Sequence, residues 1–255
     1  MTKGRRDVSI SDASRWVFNR IADVYGSRPP YPAPLIDAIA RVAGPAGCRV
    51  GDIGAGIGHV ALPLSERGFE VVAVEPATSM LDRLRTSAES RGLVVNAVHG
   101  AAESLPLETA SLDAVVIADA LHFVNAELAP REIARVLRPD GALAVVACEL
   151  GDTPFMRRLD LIIQEATQRR PRVAPALDQL FGIVGIPSPV TQRFADETPV
   201  ERAELESILR SVSFIGPAMS PERFEAFRRR VHALGDPPVW ARTFTLQAGR
   251  RSRAR

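Results

Sequence analysis

Residues 50–59 read VGDIGAGIGH, a run that passes from an apolar strand into a turn dense in glycine and then into a helix. Glycines at alternate positions let the backbone adopt positive φ angles and approach a ligand without obstruction by a Cβ atom. The helix that follows presents free backbone amides in its first turn. This run therefore predicts a site for a nucleoside-containing ligand at the end of the first strand.

The spacing of these glycines bears on which ligand is bound. A dinucleotide site of the G-x-G-x-x-G type has its third glycine at the last position, for close packing around a pyrophosphate. In this chain that position holds His59, and the third glycine is Gly58. The pattern therefore disfavours a dinucleotide.

An acidic residue closes the second predicted strand, residues 70–75. Glu75 lies 21 positions after Gly54, the first glycine of the turn. In βαβ folds a carboxylate at about this spacing accepts hydrogen bonds from ribose hydroxyls. We therefore predict that Glu75 binds a ribose; the alternative is a solvated glutamate at a strand end.

Apolar strands alternate with helices from Cys48 to Glu149, which predicts an α/β fold with a parallel sheet covered on both faces. After the strand from Cys48, the predicted elements are helix 60–67, strand 70–75, helix 79–91, strand 94–99, strand 112–118, helix 126–137 and strand 142–149. Beyond Glu149 the pattern predicts helices at 153–170, 200–211 and 221–234, with strands at 190–194 and 239–246. The last two predicted strands thus enclose the helices at 200–211 and 221–234.

Four blocks together resemble the type 11 domain of the class I S-adenosylmethionine (SAM) dependent methyltransferases. They are the glycine turn, which resembles motif I of that class, the run from Gly100 through Phe123, the segment EIARVLRPDG at 132–141, and the acid Glu75. The resemblance implies a Rossmann-like seven-stranded sheet with helices on both faces, which ends in an antiparallel strand pair with the cap inserted between the two strands. It divides the chain into an N-terminal helical lid (1–44), a SAM-binding core (45–150), a C-terminal part with a helical substrate cap (151–249) and a basic tail (250–255).

The resemblance also implies an activity and a set of ligand contacts. The activity is transfer of a methyl group from SAM to an oxygen, nitrogen or carbon atom of a small organic molecule, in bacterial secondary metabolism, with S-adenosylhomocysteine (SAH) as product. Where the family often has an acid this chain has Ala101, so the adenine amino group would rely on backbone or on Glu103. The predicted cofactor-binding residues of the core are Asp52, Gly54, Ala55, Gly56, Glu75, Pro76, Met80, Ala101, Ala102, Glu103, Ala118 and His122.

Two further cofactor residues come from the lid. Residues 18–32, FNRIADVYGSRPPYP, resemble the entry segment of many small-molecule methyltransferases, which folds over the cofactor. By that resemblance Tyr25 lies near the methionine part of SAM and Arg28 near its carboxylate. The alternative is that these two side chains only pin the lid.

Candidate catalytic and metal-binding residues are few. His122 and His59 are the candidates for a general base, although the place of His122 in the family pattern favours a role in the cofactor wall and His59 is expected to pack or to cap a helix. No metal-binding motif occurs, so no metal is predicted. Cys48 and Cys148 lie in apolar segments and are expected to be buried hydrophobic residues.

Composition excludes several classes of protein. The whole chain has a net charge of +2, but four of its last six residues are arginines, so the rest of the chain carries a net charge near −2. The two Trp and two Tyr residues form no cluster in the sequence that could stack on bases. Nucleic acid is therefore not an expected partner. No apolar run is long enough to span a bilayer and the first residues lack an apolar signal core, which predicts a cytoplasmic protein, as monomer or homodimer, without membrane contact.

Two other functions stay open on the sequence. One is a SAM-binding protein of the same fold that uses SAM structurally or for a reaction other than methyl transfer. The other is an NAD-dependent oxidoreductase, which His59 disfavours, as does the lack of any Tyr-x-x-x-Lys pair, since the only lysine is Lys3.

Overall fold

The computed structural model describes residues 12–167, 177–235 and 238–252, with side chains from Val17 onward. The helices are α1 (Asp12–Tyr25), α2 (Ala33–Ala43), α3 (Ala61–Glu66), α4 (Thr78–Ser90), α5 (Leu128–Val136), α6 (Pro154–Thr167), α7 (Leu177–Val184), α8 (Arg202–Ser211) and α9 (Pro221–His232). The strands are β1 (Arg49–Ile53), β2 (Glu70–Glu75), β3 (Val95–His99), β4 (Leu112–Ala118), β5 (Leu137–Leu150), β6 (Val190–Pro199) and β7 (Val239–Arg250). A short 3-10 helix covers Leu121–Phe123.

The seven strands form one sheet in the order β3-β2-β1-β4-β5-β7-β6. The first five strands are parallel, and β7 runs antiparallel to both β5 and β6. The predicted seven-stranded α/β fold is confirmed. From β1 the chain builds the sheet in one direction, through β2 and β3, and it then returns to the other side of β1 with β4 and β5. The strand order therefore reverses between β1 and β4, and in such sheets ligands bind at the carboxyl ends of the strands at this point.

The sheet is covered on both faces, as its apolar central strands require. One face packs against α2 and α3 through residues such as Leu35, Ile39 and Leu64. The other packs against α5 and α7 through Ile133 and Phe181. The core therefore lies on both sides of the parallel strands.

The lid and the cap each have an apolar centre of their own. In the lid, Ile21 and Ala22 of α1 pack against Ala77 and Met80 at the start of α4. The cap consists of α6, α8 and α9, whose buried side chains pack together and against Trp240 of β7. Because α8 and α9 lie between β6 and β7, the predicted insertion within the antiparallel pair is observed.

Several boundaries differ from the sequence prediction. β5 begins at Leu137, which pairs with Leu112; the register then shifts so that Ala142 pairs with Ala114, and the predicted turn at 138–141 lies inside this irregularity. β6 and β7 are longer than predicted, because they pair without interruption from Val190 with Ala248 to Pro199 with Val239. The expected helix at 153–170 is described only as far as Thr167.

Helix α7 lies between the predicted helix at 153–170 and the predicted strand at 190–194, where the sequence predicts neither a helix nor a strand. Its apolar residues Leu180, Phe181 and Val184 recur at helical spacing and are buried. The prolines that precede it concealed the pattern, since they favour extended structure. The segment 168–176 lies outside the described residues.

The sequence predicts a basic tail over residues 250–255, and this is wrong for its first two arginines. Arg250 and Arg251 are part of the folded body of the protein. Arg250 ends β7 and donates from Nη2 to the carbonyl of Val42 at 2.8 Å, in the last turn of α2. Arg251 donates from Nη1 to the carbonyls of Ala134 (3.0 Å) and Leu137 (2.9 Å), at the end of α5. Carbonyls at helix ends lack intrahelical donors, so these arginines satisfy them. Arg253 and Arg255 lie outside the described residues.

Candidate functional site

The turn after β1 has the backbone that its glycines predict. Gly54 and Gly56 adopt φ angles of 75° and 56°. A Cβ atom on Gly54 would lie 2.6 Å from the Cβ of Ala120, so only glycine lets this turn approach the end of β4. A Cβ atom on Gly56 would meet no protein atom within 4 Å. Gly56 therefore leaves open space where a ligand can approach the backbone.

Glu75 connects this turn to the start of α4. Its Oε2 accepts a hydrogen bond from the amide of Gly56 at 2.8 Å, and its Oε1 accepts one from the amide of Ala77 at 2.8 Å. Burial raises the pKa of Glu75, and the two backbone hydrogen bonds act in the opposite direction. An ionised carboxylate has about four acceptor positions, so Glu75 can still accept two hydroxyl donors.

Asp52 lies two residues before the turn and is 2% exposed. Its pKa is raised to about 7, chiefly by burial and also by the charge of Glu75, while a hydrogen bond from the Ala61 amide lowers it. Its Oδ2 atom is buried and has no hydrogen-bond partner among the residues that the structure describes. A cation near this end of the sheet would therefore stabilise the ionised form of Asp52.

Asp52 and His59 make opposite contributions to the pH dependence of stability. The folded pKa of Asp52 near 7 exceeds the unfolded value of about 3.9, so its contribution to the free energy of unfolding falls as pH rises from about 4 to 7. Burial, with Arg28 and Arg242 nearby, lowers the pKa of His59 from 6.5 to about 4. Its contribution therefore rises with pH from about 4 to 6.5.

We expect the Asp52→Asn variant to lose the first of these contributions. The difference in unfolding free energy, variant minus wild type, should increase by about 2 to 3 kcal/mol between pH 5 and pH 8, because one pKa unit corresponds to about 1.4 kcal/mol. Urea denaturation at the two pH values measures this difference, in which the His59 contribution cancels. Asp82→Asn, at an exposed position of α4, is the control. A difference that is the same at both pH values would contradict a raised pKa for Asp52.

The loop after β3 contributes a third part of the site. Within it the amide of Ser104 donates to the carbonyl of Ala101 at 3.1 Å, and these two residues form an isolated β-bridge. Ala102 is 6% exposed. The carboxylate of Glu103 accepts a hydrogen bond from the amide of Asn125 at 2.8 Å, which ties the loop to the segment after the 3-10 helix.

These parts enclose a cleft at the carboxyl ends of the parallel strands. The empty space, including its open mouth, is about 760 Å³. Ten of the predicted cofactor residues line the cleft: Tyr25, Gly54, Gly56, Glu75, Pro76, Met80, Ala101, Ala102, Glu103 and Ala118. Four do not line it: Arg28, Asp52, Ala55 and His122.

Six further lining residues were not among the predicted cofactor contacts: Phe18, Ala77, Asp119, Ala120, Phe123 and Val124. Asp119 and Ala120 directly follow the predicted fourth strand, and the rule that ligands bind at the carboxyl ends of parallel strands indicates that residues at this position can contact a ligand. Asp119 also has a positive φ of 52°, which is uncommon for a residue other than glycine. Phe18 lies in the lid segment, but only the tertiary structure brings its ring to 5.0 Å from that of Phe123.

Arg28 links the lid to the cap. Its Nε donates to Ser211 Oγ at 2.9 Å and its Nη2 to the Ser211 carbonyl at 2.9 Å, while its Nη1 donates to the hydroxyl of Tyr25 at 3.2 Å. The guanidinium also lies 4.2 Å from the centre of the Tyr25 ring. This geometry supports the alternative in which Arg28 pins the lid, and it places Arg28 directly behind a residue of the cleft wall.

The histidines considered as bases lie outside the cleft lining. His122 is part of the 3-10 helix, and its ring centre is 4.0 Å from that of Phe123. His59 lies between Tyr25 and Tyr31, with ring centres 6.0 Å from each. Cys148, like Cys48, is half-buried rather than fully buried as expected, and burial raises the pKa of the Cys148 thiol to about 12, which disfavours the thiolate form.

The charge of the cleft has one sign. Glu75, Glu103 and Asp119 line it, whereas no lysine, arginine or histidine is found among the described residues of its lining. Within the described ranges there is also no group of three or more side chains suited to hold a metal ion, and no helix with the length and apolarity to cross a membrane. The cleft therefore favours a cationic ligand over an anionic one.

Comparison with known proteins matches part of the chain to a known family. The family described as "Methyltransferase domain" matches residues 51–145. The uncharacterized methyltransferase Rv3342 of Mycobacterium tuberculosis is 42% identical over 146 residues, which is 57% of this chain and 55% of that relative. The chain thus spans about half the length of the curated relatives it matches.

Solved structures show the same fold. The YcgJ protein of Bacillus subtilis superposes with a TM-score of 0.59 and 21% identity, over 86% of this chain and 98% of that one. The [4+2]-cyclase SpnF superposes with a TM-score of 0.59 and 17% identity, over 96% of both chains. The glycine turn, Glu75 and the loop at 101–104 lie within residues 51–145, the part of the chain that matches the methyltransferase domain family.

Proposed function

We propose that the protein transfers a methyl group from SAM to a small organic molecule. The observation that carries this proposal is the acidic lining of the cleft by Glu75, Glu103 and Asp119. SAM bears a positive sulfonium, a positive amino group and a negative carboxylate, so its overall charge is positive, and carboxylates at close range stabilise its two positive groups. When bound, SAM supplies an activated methyl group, so the main task of the protein is to position donor and acceptor.

The residues of the cleft fit an adenosyl ligand. Glu75 keeps acceptor capacity for the two ribose hydroxyls, beyond the amides of Gly56 and Ala77 that it already binds. The open space at Gly56 admits a ligand close to the backbone. The loop of Ala101, Ala102 and Glu103 would hold the adenine, and Asp119 would face the cationic part of the ligand.

The acceptor would enter from the side of the lid and the cap. Phe18 and Tyr25 of α1 line the cleft together with Phe123 and Val124, and this apolar wall suits an acceptor with an apolar or aromatic body. Neither His59 nor His122 lines the cleft. In this proposal the protein therefore accelerates the reaction mainly by aligning the acceptor with the methyl group, and not through a histidine that acts as general base. We expect the protein to act in the cytoplasm, on a small molecule rather than a nucleic acid.

Two alternatives make different predictions. An NAD-dependent oxidoreductase would have to hold a doubly negative pyrophosphate beside carboxylates, which costs electrostatic energy. A protein of this fold that uses SAM without methyl transfer is the second alternative, since a fold does not fix a reaction and SpnF, which has this fold, is a [4+2]-cyclase.

Calorimetric titration with SAM, SAH and NAD tests the first alternative. We expect SAM and SAH to bind and NAD to give no heat of binding; tighter binding of NAD than of SAH would overturn the proposal. The second alternative, use of SAM without methyl transfer, is tested by incubating the protein with methyl-labelled SAM and a small-molecule extract of the organism that makes it. Labelled products are expected, and binding of SAM without any labelled product would favour the second alternative.

A further inference from the structure

The ion pair of Glu132 and Arg135 on α5 lies outside the cleft and contacts the loop that lines it. Arg135 donates to Glu132 through two parallel bonds, Nε to Oε1 and Nη2 to Oε2, both 2.7 Å. Such bidentate pairs hold both side chains in one geometry. The side chain of Arg135 is 33% exposed and that of Glu132 is 22% exposed, and neither residue is part of the cleft lining.

The pair binds the backbone of the loop at three points. Arg135 donates from Nη1 to the carbonyl of Leu107 at 2.7 Å and from Nη2 to the carbonyl of Leu105 at 3.0 Å. Glu132 Oε2 accepts a hydrogen bond from the amide of Leu105 at 2.8 Å. Both polar groups of Leu105 are thus held by α5, and Leu105 itself is 4% exposed.

The held segment is joined directly to the wall of the cleft. Ala101, Ala102 and Glu103 line the cleft, and the hydrogen bond from Ser104 to Ala101 closes this part of the loop just before Leu105. Fixing Leu105 therefore fixes the end of a short closed loop. At the same time Glu103 is tied to the Asn125 amide, so the loop has few other ways to adjust.

We propose that Glu132 and Arg135 form a positioning pair that sets the affinity of the cleft for the adenosine part of SAM, without touching the ligand. This inference rests on the proposed function for the identity of the ligand. It predicts that loss of the pair releases Leu105 and Leu107 and lets the lining at Ala101–Glu103 move away from its binding geometry.

The test measures binding and loop mobility in the full chain. We expect Arg135→Gln to weaken binding of SAH by about tenfold and binding of 5′-methylthioadenosine, which shares only the adenosine part, by the same factor. Hydrogen–deuterium exchange of the segment 101–107 should increase in the same variant. Glu132→Gln keeps an oxygen acceptor for Leu105 and should have a smaller effect. The double variant should lose little more than Arg135→Gln, because the two residues act as a unit.

Arg138→Gln is the matched control, since Arg138 pairs with Asp113 on the surface and does not bind the loop at 101–107. It should leave both dissociation constants and loop exchange unchanged. Wild-type affinity for SAH in a folded Arg135→Gln variant would overturn the positioning role, as would a loss for SAH without a loss for 5′-methylthioadenosine. Failure of the wild type to bind SAH would instead overturn the proposed function, and the exchange experiment, which uses no ligand, tells the two failures apart.

Discussion

Glu75→Ala should weaken SAH binding by about 1 to 3 kcal/mol, which is about 5- to 150-fold in the dissociation constant. The carboxylate supplies the charge-assisted acceptors that we assign to the ribose. The substitution also leaves the amides of Gly56 and Ala77 without their acceptor, so the glycine turn and the start of α4 lose their common anchor. Titration calorimetry of the folded variant with SAH measures the change.

A second acidic residue of the cleft separates this role from a general effect of charge. Glu103→Gln removes one negative charge from the lining but keeps a side-chain oxygen that can accept from the Asn125 amide. We expect it to weaken SAH binding by less than Glu75→Ala. Unchanged affinity in the Glu75→Ala variant would remove Glu75 from the site, and equal losses in both variants would show that Glu75 contributes no more to binding than the other acidic residue of the lining.

Gly56→Ala should cost more in SAH binding than in stability. At a φ of 56° an alanine is strained by about 1 to 2 kcal/mol. Its Cβ would meet no protein atom within 4 Å, so no clash adds to this strain. The methyl group would instead occupy space beside the bound ligand, and we expect SAH binding to fall at least about tenfold. Calorimetry with SAH and urea denaturation without ligand measure the two effects separately.

Gly92→Ala provides the matched control for strain. Gly92 has a φ of 64°, and a Cβ atom there would also meet nothing within 4 Å, but this glycine follows α4 and does not line the cleft. The two variants should therefore lose similar stability, and only Gly56→Ala should lose affinity. Similar affinity in both variants would mean that no ligand approaches the backbone at Gly56.

The centre of the cleft was predictable because it is assembled from strand ends. Gly54, Glu75 and Ala118 come at the ends of β1, β2 and β4, and parallel strands bring their carboxyl ends to one edge of the sheet whatever the loops do. The direct link between turn and acid, from the Gly56 amide to Glu75, joins residues that are 19 positions apart in one βαβ unit. The order of elements along the chain was therefore sufficient to place these residues together.

The lid, the cap and the last residues were not predictable in the same way. Arg28 finds its acceptors on Ser211, 183 positions away, and Arg251 finds a helix end 117 positions away. A guanidinium group can donate hydrogen bonds to a ligand, a carboxylate or a backbone carbonyl, and the neighbouring residues in the sequence do not show which of these acceptors lies nearby.

The amino-acid pattern alone thus predicts the parallel half of the sheet, the resemblance to SAM-dependent methyltransferases and most of the cleft floor, because these depend on local periodicity and on contacts within one βαβ unit. Only the folded chain shows that Arg28 reaches the cap instead of the cleft, that Phe18 and Phe123 form its wall, and that its charged lining is wholly acidic among the described residues. These features depend on which distant surfaces pack together, and burial then sets the pKa values of Asp52 and His59.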